Sequence, residues 1–141
     1  EGVAAVEMMA GHATARPDPD RIPACIYCRP EVATIGLSEE EAQRRGIPVK
    51  VSKFPFTALG RAVASGHTEG FVKMVAEERY GEVIGCHIIG HGAPDLISEI
   101  SLARTVEATF REIGKTVHPH PTLPEAIREA ALMLGGEAID I

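Results

Sequence analysis

The sequence predicts an α+β fold in which one antiparallel β-sheet carries helices on one face. The β-prone runs lie before residue 90, and the last two are joined by a short polar turn, which favours antiparallel pairing. Helical patterns dominate from residue 94 onwards. The chain of 141 residues is 45% hydrophobic and 24% charged, which is the balance of one globular domain with a real hydrophobic core.

Each element follows from a local pattern. Runs of β-branched or alternating apolar residues predict five strands, at residues 24–28, 32–37, 49–56, 71–76 and 82–89. The turn at residues 77–81 makes the last two strands a hairpin. Apolar spacing or capping residues predict helical segments at residues 3–10, 38–46, 94–107 and 110–115. Residues 57–68 are ambiguous between a loop and a short helical turn at residues 59–64. A last helix carries the apolar stripe Ile127, Ala130, Ala131 and Leu134 and stops at Gly135. Residues 12–22 are predicted to be a loop.

Two helix starts differ in an informative way. Ser38 is placed to cap the amide three residues on, Glu41 completes a capping box, and Gly46 ends that helix. The chain itself opens in a helical pattern with neither an initiator Met nor a capping residue. This opening predicts a segment of a longer chain or a processed precursor.

Charge and composition exclude several classes of function. The formal net charge is −6 and the Lys and Arg residues do not cluster, which argues against a nucleic-acid surface. No stretch approaches the roughly 18 apolar residues of a membrane span, and no signal peptide is visible. The three cysteines, an odd number, do not make a disulfide framework and favour a reducing compartment.

Two short motifs only superficially match functional patterns. Cys25 and Cys28 fit C-x-x-C, but their surroundings favour an extended run, on which residues three apart lie roughly 10 Å apart. A disulfide needs less than about 7 Å, so they are predicted to be two strand cysteines. Residues 90–95 resemble a dinucleotide loop, but Asp95 stands at the third glycine position, where a carboxylate would repel a pyrophosphate. A tight strand-to-helix turn is predicted there.

The residues most suited to catalysis lie within residues 118–126. His120 can carry a proton near neutral pH, and Glu125 could hold one ring nitrogen while the other stays free. Pro119 and Pro121 restrict the backbone on both sides of the ring. The His120–Pro121 bond is also a candidate cis peptide.

Two other interpretations of this stretch stay open. Thr122 and Glu125 also fit a capping box for the last helix, with Pro124 in the first turn, and spacing alone favours this interpretation. His120 would then be an ordinary loop residue. His118 and His120 could bind zinc, but H-x-H without a third ligand is weak evidence, so no metal site is predicted.

Motifs along the chain resemble those of the dihydrolipoamide dehydrogenase family, which belongs to the pyridine nucleotide-disulfide oxidoreductases. Residues 118–126 resemble its H-x-H-P-T-L-S-E-A signature, residues 30–37 its P-E-V-A-x-V-G, and residues 53–62 its K-F-P-F-x-A-N-x-R-A. Segments 68–73 and 85–90 follow in the family's order. Together these motifs cover nearly the whole chain.

The resemblance implies that residues 12–141 are the C-terminal interface, or dimerisation, domain of such a flavoprotein. Residues 1–11 would be the end of the last helix of its FAD domain. The family's G-x-G-x-x-G, its C-x-x-x-x-C redox pair and its NAD domain have no counterpart in this sequence. The full-length enzyme would oxidise dihydrolipoamide to lipoamide with FAD and NAD+, whereas this chain alone would bind no cofactor and be inactive.

By the same resemblance, the domain would form a homodimer and supply His120 and Glu125 to the partner subunit's active site. His120 would take the proton of a dihydrolipoamide thiol, Glu125 would orient the ring, and the backbone of His120 and Pro121 would lie near the flavin of the partner subunit. The dihydrolipoamide would be carried on the acyltransferase of a 2-oxo-acid dehydrogenase complex. The location would be the cytoplasm of a bacterium or a mitochondrial matrix, with neither nucleic acid nor membrane as a partner.

The sequence also departs from the family at informative positions. Pro119 and Pro124 stand where the family usually has Ala and Ser, and Leu59 replaces a common Asn.

Two alternatives to the lipoamide enzyme are the interface domain of a sibling enzyme, of the glutathione or mercuric reductase type, and a dimerisation module without chemistry. Glutathione reductase shares only a shorter H-P-T-x-x-E and mercuric reductase lacks this terminus, so the full motif favours the lipoamide enzyme.

Overall fold

The computed structural model describes residues 2–12 and 18–138. Its elements in chain order are α1 (Gly2–Met9), β1 (Ala24–Ile26), β2 (Val32–Gly36), α2 (Glu39–Arg44), β3 (Val49–Pro55), α3 (Gly60–Ser65), β4 (Gly70–Glu77), β5 (Val83–Gly90), α4 (Ala93–Thr105), α5 (Phe110–Lys115) and α6 (Glu125–Gly135). Short 3-10 turns span Pro19–Arg21 and Phe56–Ala58. Among the residues described, no helix has the length and apolar character needed to cross a bilayer.

The five strands form one sheet in the order β1-β2-β5-β4-β3, with every neighbouring pair antiparallel. β4 and β5 are the predicted hairpin, paired from Gly70 opposite Gly90 to Ala76 opposite Val83. Helix α4 packs on β2 and β5, and α6 packs on β3 and β4, so both helices cover one continuous core. The predicted α+β class with an antiparallel sheet is therefore confirmed.

A β-bulge in β5 gives the sheet a second, smaller core on its other face. Val75 lies opposite Gly85 and Ala76 lies opposite Val83, so Ile84 has no partner in the ladder. Val83 consequently faces the main core, while Ile84 and Val75 pack with Ala42 of α2 in a separate cluster. The predicted arrangement, with helices on one face of the sheet, holds for α4 and α6. Helix α2 packs on the other face, which was not predicted.

Several predicted boundaries change. β1 ends at Ile26, so Cys28 lies beyond the strand, in a bend before the cis peptide Arg29–Pro30. Part of the predicted loop at residues 12–22 is a 3-10 turn, and residues 13–17 lie outside the described residues.

Only half of the first predicted capping box forms. The hydroxyl oxygen of Ser38 accepts the Glu41 amide at 3.1 Å, but the Glu41 carboxylate turns to Arg45 at 2.7 Å and to Arg44. A complete capping box stands instead at the start of α5, where Thr109 and Glu112 bond to each other reciprocally. This second box was not predicted from the sequence.

A buried arginine ties α4 to β5 and to the segment before β1. Arg104 donates to the backbone oxygens of Val83 and Asp20, each at 3.2 Å, and lies 3.7 Å from the Glu82 carboxylate. Its burial lowers the pKa of the guanidinium from the ordinary value. These bonds fix the 3-10 turn at residues 19–21 against the body of the domain.

Candidate active-site half between α5 and α6

The predicted catalytic stretch forms a short exposed loop from the end of α5 to the start of α6. The His120–Pro121 peptide is cis, as the sequence indicated. The Thr122 hydroxyl donates to the Pro119 carbonyl oxygen at 2.7 Å and closes a turn around His120. The prolines and this side-chain bond hold the histidine at a defined place on the surface.

The structure brings His120 and Glu125 together, as the family resemblance implied. His120 Nδ1 lies 2.8 Å from Glu125 Oε1. A carboxylate only accepts hydrogen bonds, so Nδ1 carries the hydrogen and Nε2 remains available for proton exchange. The imidazole side chain is 79% exposed and the glutamate side chain only 21% exposed, so the free nitrogen is open to an incoming group.

The second oxygen of Glu125 holds the loop backbone. Glu125 Oε2 accepts the amide hydrogen of Thr122 at 2.7 Å. Burial alone would raise the pKa of Glu125, but the Thr122 amide and then the His120 ring outweigh it, and the pKa lies below its usual value. Glu125 is also in the first turn of α6, where the helix dipole favours a negative charge. The carboxylate is therefore ionised at neutral pH.

The predicted capping role of Thr122 is wrong. Its hydroxyl group donates to Pro119 instead of accepting an amide of the helix, and Pro124 precedes the first helical residue without a side-chain cap. Only the returning half of the box exists, from Glu125 to the Thr122 amide. Because the two oxygens of Glu125 serve different donors, one residue fixes both the loop and the histidine ring.

His118 has a different environment from His120. Its side chain is 6% exposed, its Nε2 lies 2.9 Å from Glu99 Oε1, and its Nδ1 lies 3.1 Å from the Thr116 carbonyl oxygen. Across the described part of the chain, no group of three or more His, Cys, Asp or Glu side chains could hold a metal ion. Both ring nitrogens of His118 therefore face acceptors within the protein.

Glu99 contacts the loop through His118 and was not predicted from the sequence. It lies on α4 between Leu96 and Ala103, which belong to the buried side of that helix. Glu99 is three residues after Leu96 and four residues before Ala103, so the helical spacing places its carboxylate at the edge of the core. This spacing could have identified it in the sequence. Its partner is 19 residues away, and only the fold reveals it.

An open pocket of about 780 Å³ lies beside the loop. Its walls are residues 121–124 and the first turns of α4, together with Glu31 and Arg61. The predicted turn at residues 90–95 is confirmed, since β5 ends at Gly90 and α4 begins at Ala93. Within this turn the amide of Gly92 donates to Glu31 Oε2 at 2.7 Å. A carboxylate of the chain itself therefore takes the amide that a phosphate would need.

The cysteines do not contribute to this site. All three are free thiols, with Cys28 exposed, Cys25 half-buried and Cys86 fully buried. The Cys28 thiol lies 2.9 Å from the Pro30 carbonyl oxygen. Burial raises the pKa of Cys86 to about 12, which keeps it protonated.

The fold and this site define a class of protein. Residues 22–131 match the family described as "Pyridine nucleotide-disulphide oxidoreductase, dimerisation domain", and the chain belongs to that family.

Among curated proteins, the chain is 50% identical over 139 residues to the dihydrolipoyl dehydrogenase of Bacillus subtilis, covering 99% of this chain and 29% of that protein. It is 44% identical over 140 residues to the enzyme of the same name from Zymomonas mobilis, covering 99% of this chain and 30% of that protein. The chain thus spans less than a third of the length of these relatives.

Solved structures agree with the family. LpdA from Mycobacterium tuberculosis superposes with a TM-score of 0.85 at 27% identity, over 92% of this chain and 28% of that one. The HOCl-induced flavoprotein disulfide reductase RclA from Escherichia coli gives a TM-score of 0.83 at 17% identity, over 92% of this chain and 30% of that one. The second likeness shows the fold alone.

Proposed function

We propose that this chain is the dimerisation domain of a flavoprotein that oxidises dihydrolipoamide to lipoamide with FAD and NAD+, and that it supplies the acid–base pair His120–Glu125 to the partner subunit's active site. The observation that carries the proposal is the 2.8 Å contact between His120 Nδ1 and Glu125 Oε1 on an exposed ring. The names of the similar curated proteins support the substrate.

In the proposed reaction, His120 Nε2 accepts the proton of a dihydrolipoamide thiol. The S–H bond breaks and its electron pair stays on the sulfur. The resulting thiolate can attack the redox disulfide of the full-length enzyme, which would form a mixed disulfide while the disulfide's S–S bond breaks and its other sulfur leaves as a thiolate. Glu125 remains ionised and stabilises the imidazolium that forms. It also keeps the proton of the neutral ring on Nδ1, so Nε2 is ready for the next turnover.

The residues present fit contact with a flavin held elsewhere, and they do not make a complete flavin site. His120 and Pro121 are exposed at the rim of the domain, where a group on another subunit can reach them. The sequence has no G-x-G-x-x-G loop for a pyrophosphate. When bound in the full-length enzyme, FAD supplies the electron transfer from the disulfide centre to NAD+. The chain alone is therefore proposed to be inactive.

Helix α1 supports the proposed division of the chain into residues 1–11 and 12–141. It has no buried residue, and its large apolar side chains Val3, Val6, Met8 and Met9 are all exposed. A helix of this kind fits the end of an adjoining FAD domain better than an element of this one.

The dihydrolipoamide is proposed to arrive on the acyltransferase of a 2-oxo-acid dehydrogenase complex, in a bacterial cytoplasm or a mitochondrial matrix.

Substitution in the full-length protein tests the acid–base role. We expect His120→Gln to reduce NAD-linked dihydrolipoamide oxidation by about 100-fold or more, which is the usual contribution of a positioned acid–base group. His67→Gln removes another exposed histidine, one that stacks on His91, and should leave the rate unchanged. Retention of most activity by His120→Gln would show that His120 is not the acid–base group.

The homodimer is tested separately, on the chain itself. Sedimentation of the 141-residue chain at high micromolar concentration should give the mass of a dimer. A monomer as the only species at that concentration would contradict dimerisation through this domain alone. The purified chain should show no dihydrolipoamide oxidation in either case.

A further inference from the structure

We propose that Glu99 is a positioning residue for His120, and that it acts through His118. The structural part of this inference stands on the contacts of the loop, while its consequence for catalysis rests on the proposed function. Glu99 does not reach His120 itself. It holds the first histidine of the H-x-H pair, and the peptide chain through Pro119 carries that restraint to the second.

The anchor at His118 is well enclosed. The ring is 6% exposed, and its two nitrogens face two acceptors, the Glu99 carboxylate at 2.9 Å and the Thr116 carbonyl oxygen at 3.1 Å. Both partners only accept hydrogen bonds, so a ring with one hydrogen donates to one of them, and only a ring with a hydrogen on each nitrogen donates to both. A ring enclosed between two acceptors cannot flip or shift without losing a hydrogen bond.

From this anchor, the restraint reaches His120 along two connected paths. The first is covalent, because His118 and His120 flank Pro119, whose ring fixes its backbone angle φ. The second is a series of hydrogen bonds. The Pro119 carbonyl oxygen accepts the Thr122 hydroxyl, the Thr122 amide donates to Glu125, and Glu125 holds His120. The loop is thus bonded to α4 at one end and to α6 at the other.

Two carboxylates on two different helices hold the loop, and each restrains a different part of it. Glu125 on α6 determines which nitrogen of His120 carries the hydrogen, while Glu99 on α4 determines where the loop lies relative to α6. If the Glu99 bond is lost, His118 has a ring nitrogen without its acceptor and the loop is free to shift. A shift of the loop lengthens the His120–Glu125 contact without altering either of those residues.

The spectra of the histidine rings in the 15N-labelled 141-residue chain test the structural part. Glu99→Ala should move the Nδ1 and Nε2 signals of His120 towards those of a freely exchanging ring. Glu99→Gln retains an acceptor for His118 and should largely restore them. Asp95→Asn is the matched control, because it removes a charge from the same helix and the same pocket without contacting His118. Unchanged His120 signals in a folded Glu99→Ala chain would overturn the inference.

A second variant covers the case in which Glu99→Ala does not fold. Glu99→Asp keeps the charge but withdraws the carboxylate by one methylene group, so it should shift the His120 signals in the same direction by a smaller amount. No shift in a folded Glu99→Asp chain would then overturn the inference.

Kinetics of the full-length protein test the catalytic consequence. Glu99→Ala should lower kcat for dihydrolipoamide by about tenfold to a hundredfold, as misplacing a catalytic group does, and Glu99→Gln should recover most of it. A purely structural role would lower the melting temperature and leave kcat of the folded enzyme unchanged. If His120→Gln keeps its activity, the proposed function fails while the spectra still decide the coupling. If the spectra do not change, the coupling fails and the proposed function remains.

Discussion

Replacement of Glu125 by glutamine should move the hydrogen of the neutral His120 ring from Nδ1 to Nε2. The carboxylate accepts two hydrogen bonds, from His120 Nδ1 at 2.8 Å and from the Thr122 amide at 2.7 Å. Glutamine has one oxygen and one amino group, so it cannot accept from both. The Thr122 amide can only donate, and it therefore takes the oxygen. The amino group then faces Nδ1, which must become the acceptor.

The magnitude follows from the alternative orientation of the glutamine. Turning the side chain round would place its amino group against the Thr122 amide and leave that donor unsatisfied, at a cost of about 1–3 kcal/mol. Thr122 is only half-buried and the His120 ring is largely exposed, so the lower limit applies. About 1 kcal/mol corresponds to a preference of about fivefold for the tautomer with the hydrogen on Nε2. That tautomer cannot accept a proton at Nε2.

The assay is a long-range 1H–15N spectrum of the labelled chain at mildly alkaline pH, where the two tautomers give distinct nitrogen shifts. Glu112→Gln is the matched control, because Glu112 also holds the amide at a helix start but touches no histidine. Persistence of the hydrogen on Nδ1 in Glu125→Gln, with the Thr122 amide signal unchanged, would refute the reasoning.

Further predictions concern the fold and the thiols. Gly85→Ala should unfold or strongly destabilise the chain in thermal denaturation, because its Cβ would lie 1.9 Å from a backbone oxygen, whereas Gly60→Ala has open space and should cost nothing. Native alkylation followed by mass spectrometry should label exposed Cys28 and spare Cys86, whose pKa burial raises to about 12; labelling of both at similar rates would contradict the buried position. Bonds from the Thr109 hydroxyl and amide lower the pKa of Glu112, so its contribution to stability is present above the ordinary value of 4.5 and lost as pH falls through the folded pKa. Glu112→Gln should flatten this part of the stability–pH profile, and an unchanged slope would count against it.

The strands and the hairpin could be predicted because their signals are local. The apolar runs of β4 and β5 and the turn between them lie within a few residues of one another. The bulge at Ile84 could not be predicted, since it depends on how two strands are paired, and a one-residue shift in pairing exchanges the faces on which side chains lie. β1 was predicted too long because Ile26 and Tyr27 are β-prone, whereas the bend before Pro30 ends the strand.

The same distinction applies to the site. His120 and Glu125 are five residues apart across a loop and a helix start. Spacing alone favoured a capped helix, and the family motif was needed to pair the two residues. Glu99 could not be paired with His118 from the sequence, because only the packing of α4 on the sheet brings the two together. Thr122 was predicted to cap the last helix because threonine often does so. Its hydroxyl instead donates to the Pro119 carbonyl oxygen.

Helices α4 and α6 both rest on the same sheet, and each bonds to one end of the loop that carries His120. The separation of Glu99 and Glu125 is consequently set by the apolar side chains beneath the two helices, among them Ile97 and Ile127. Close packing transmits small changes in side-chain volume. We expect an exchange of size at either isoleucine to change the distance between His120 and Glu125 while leaving every polar residue of the loop intact.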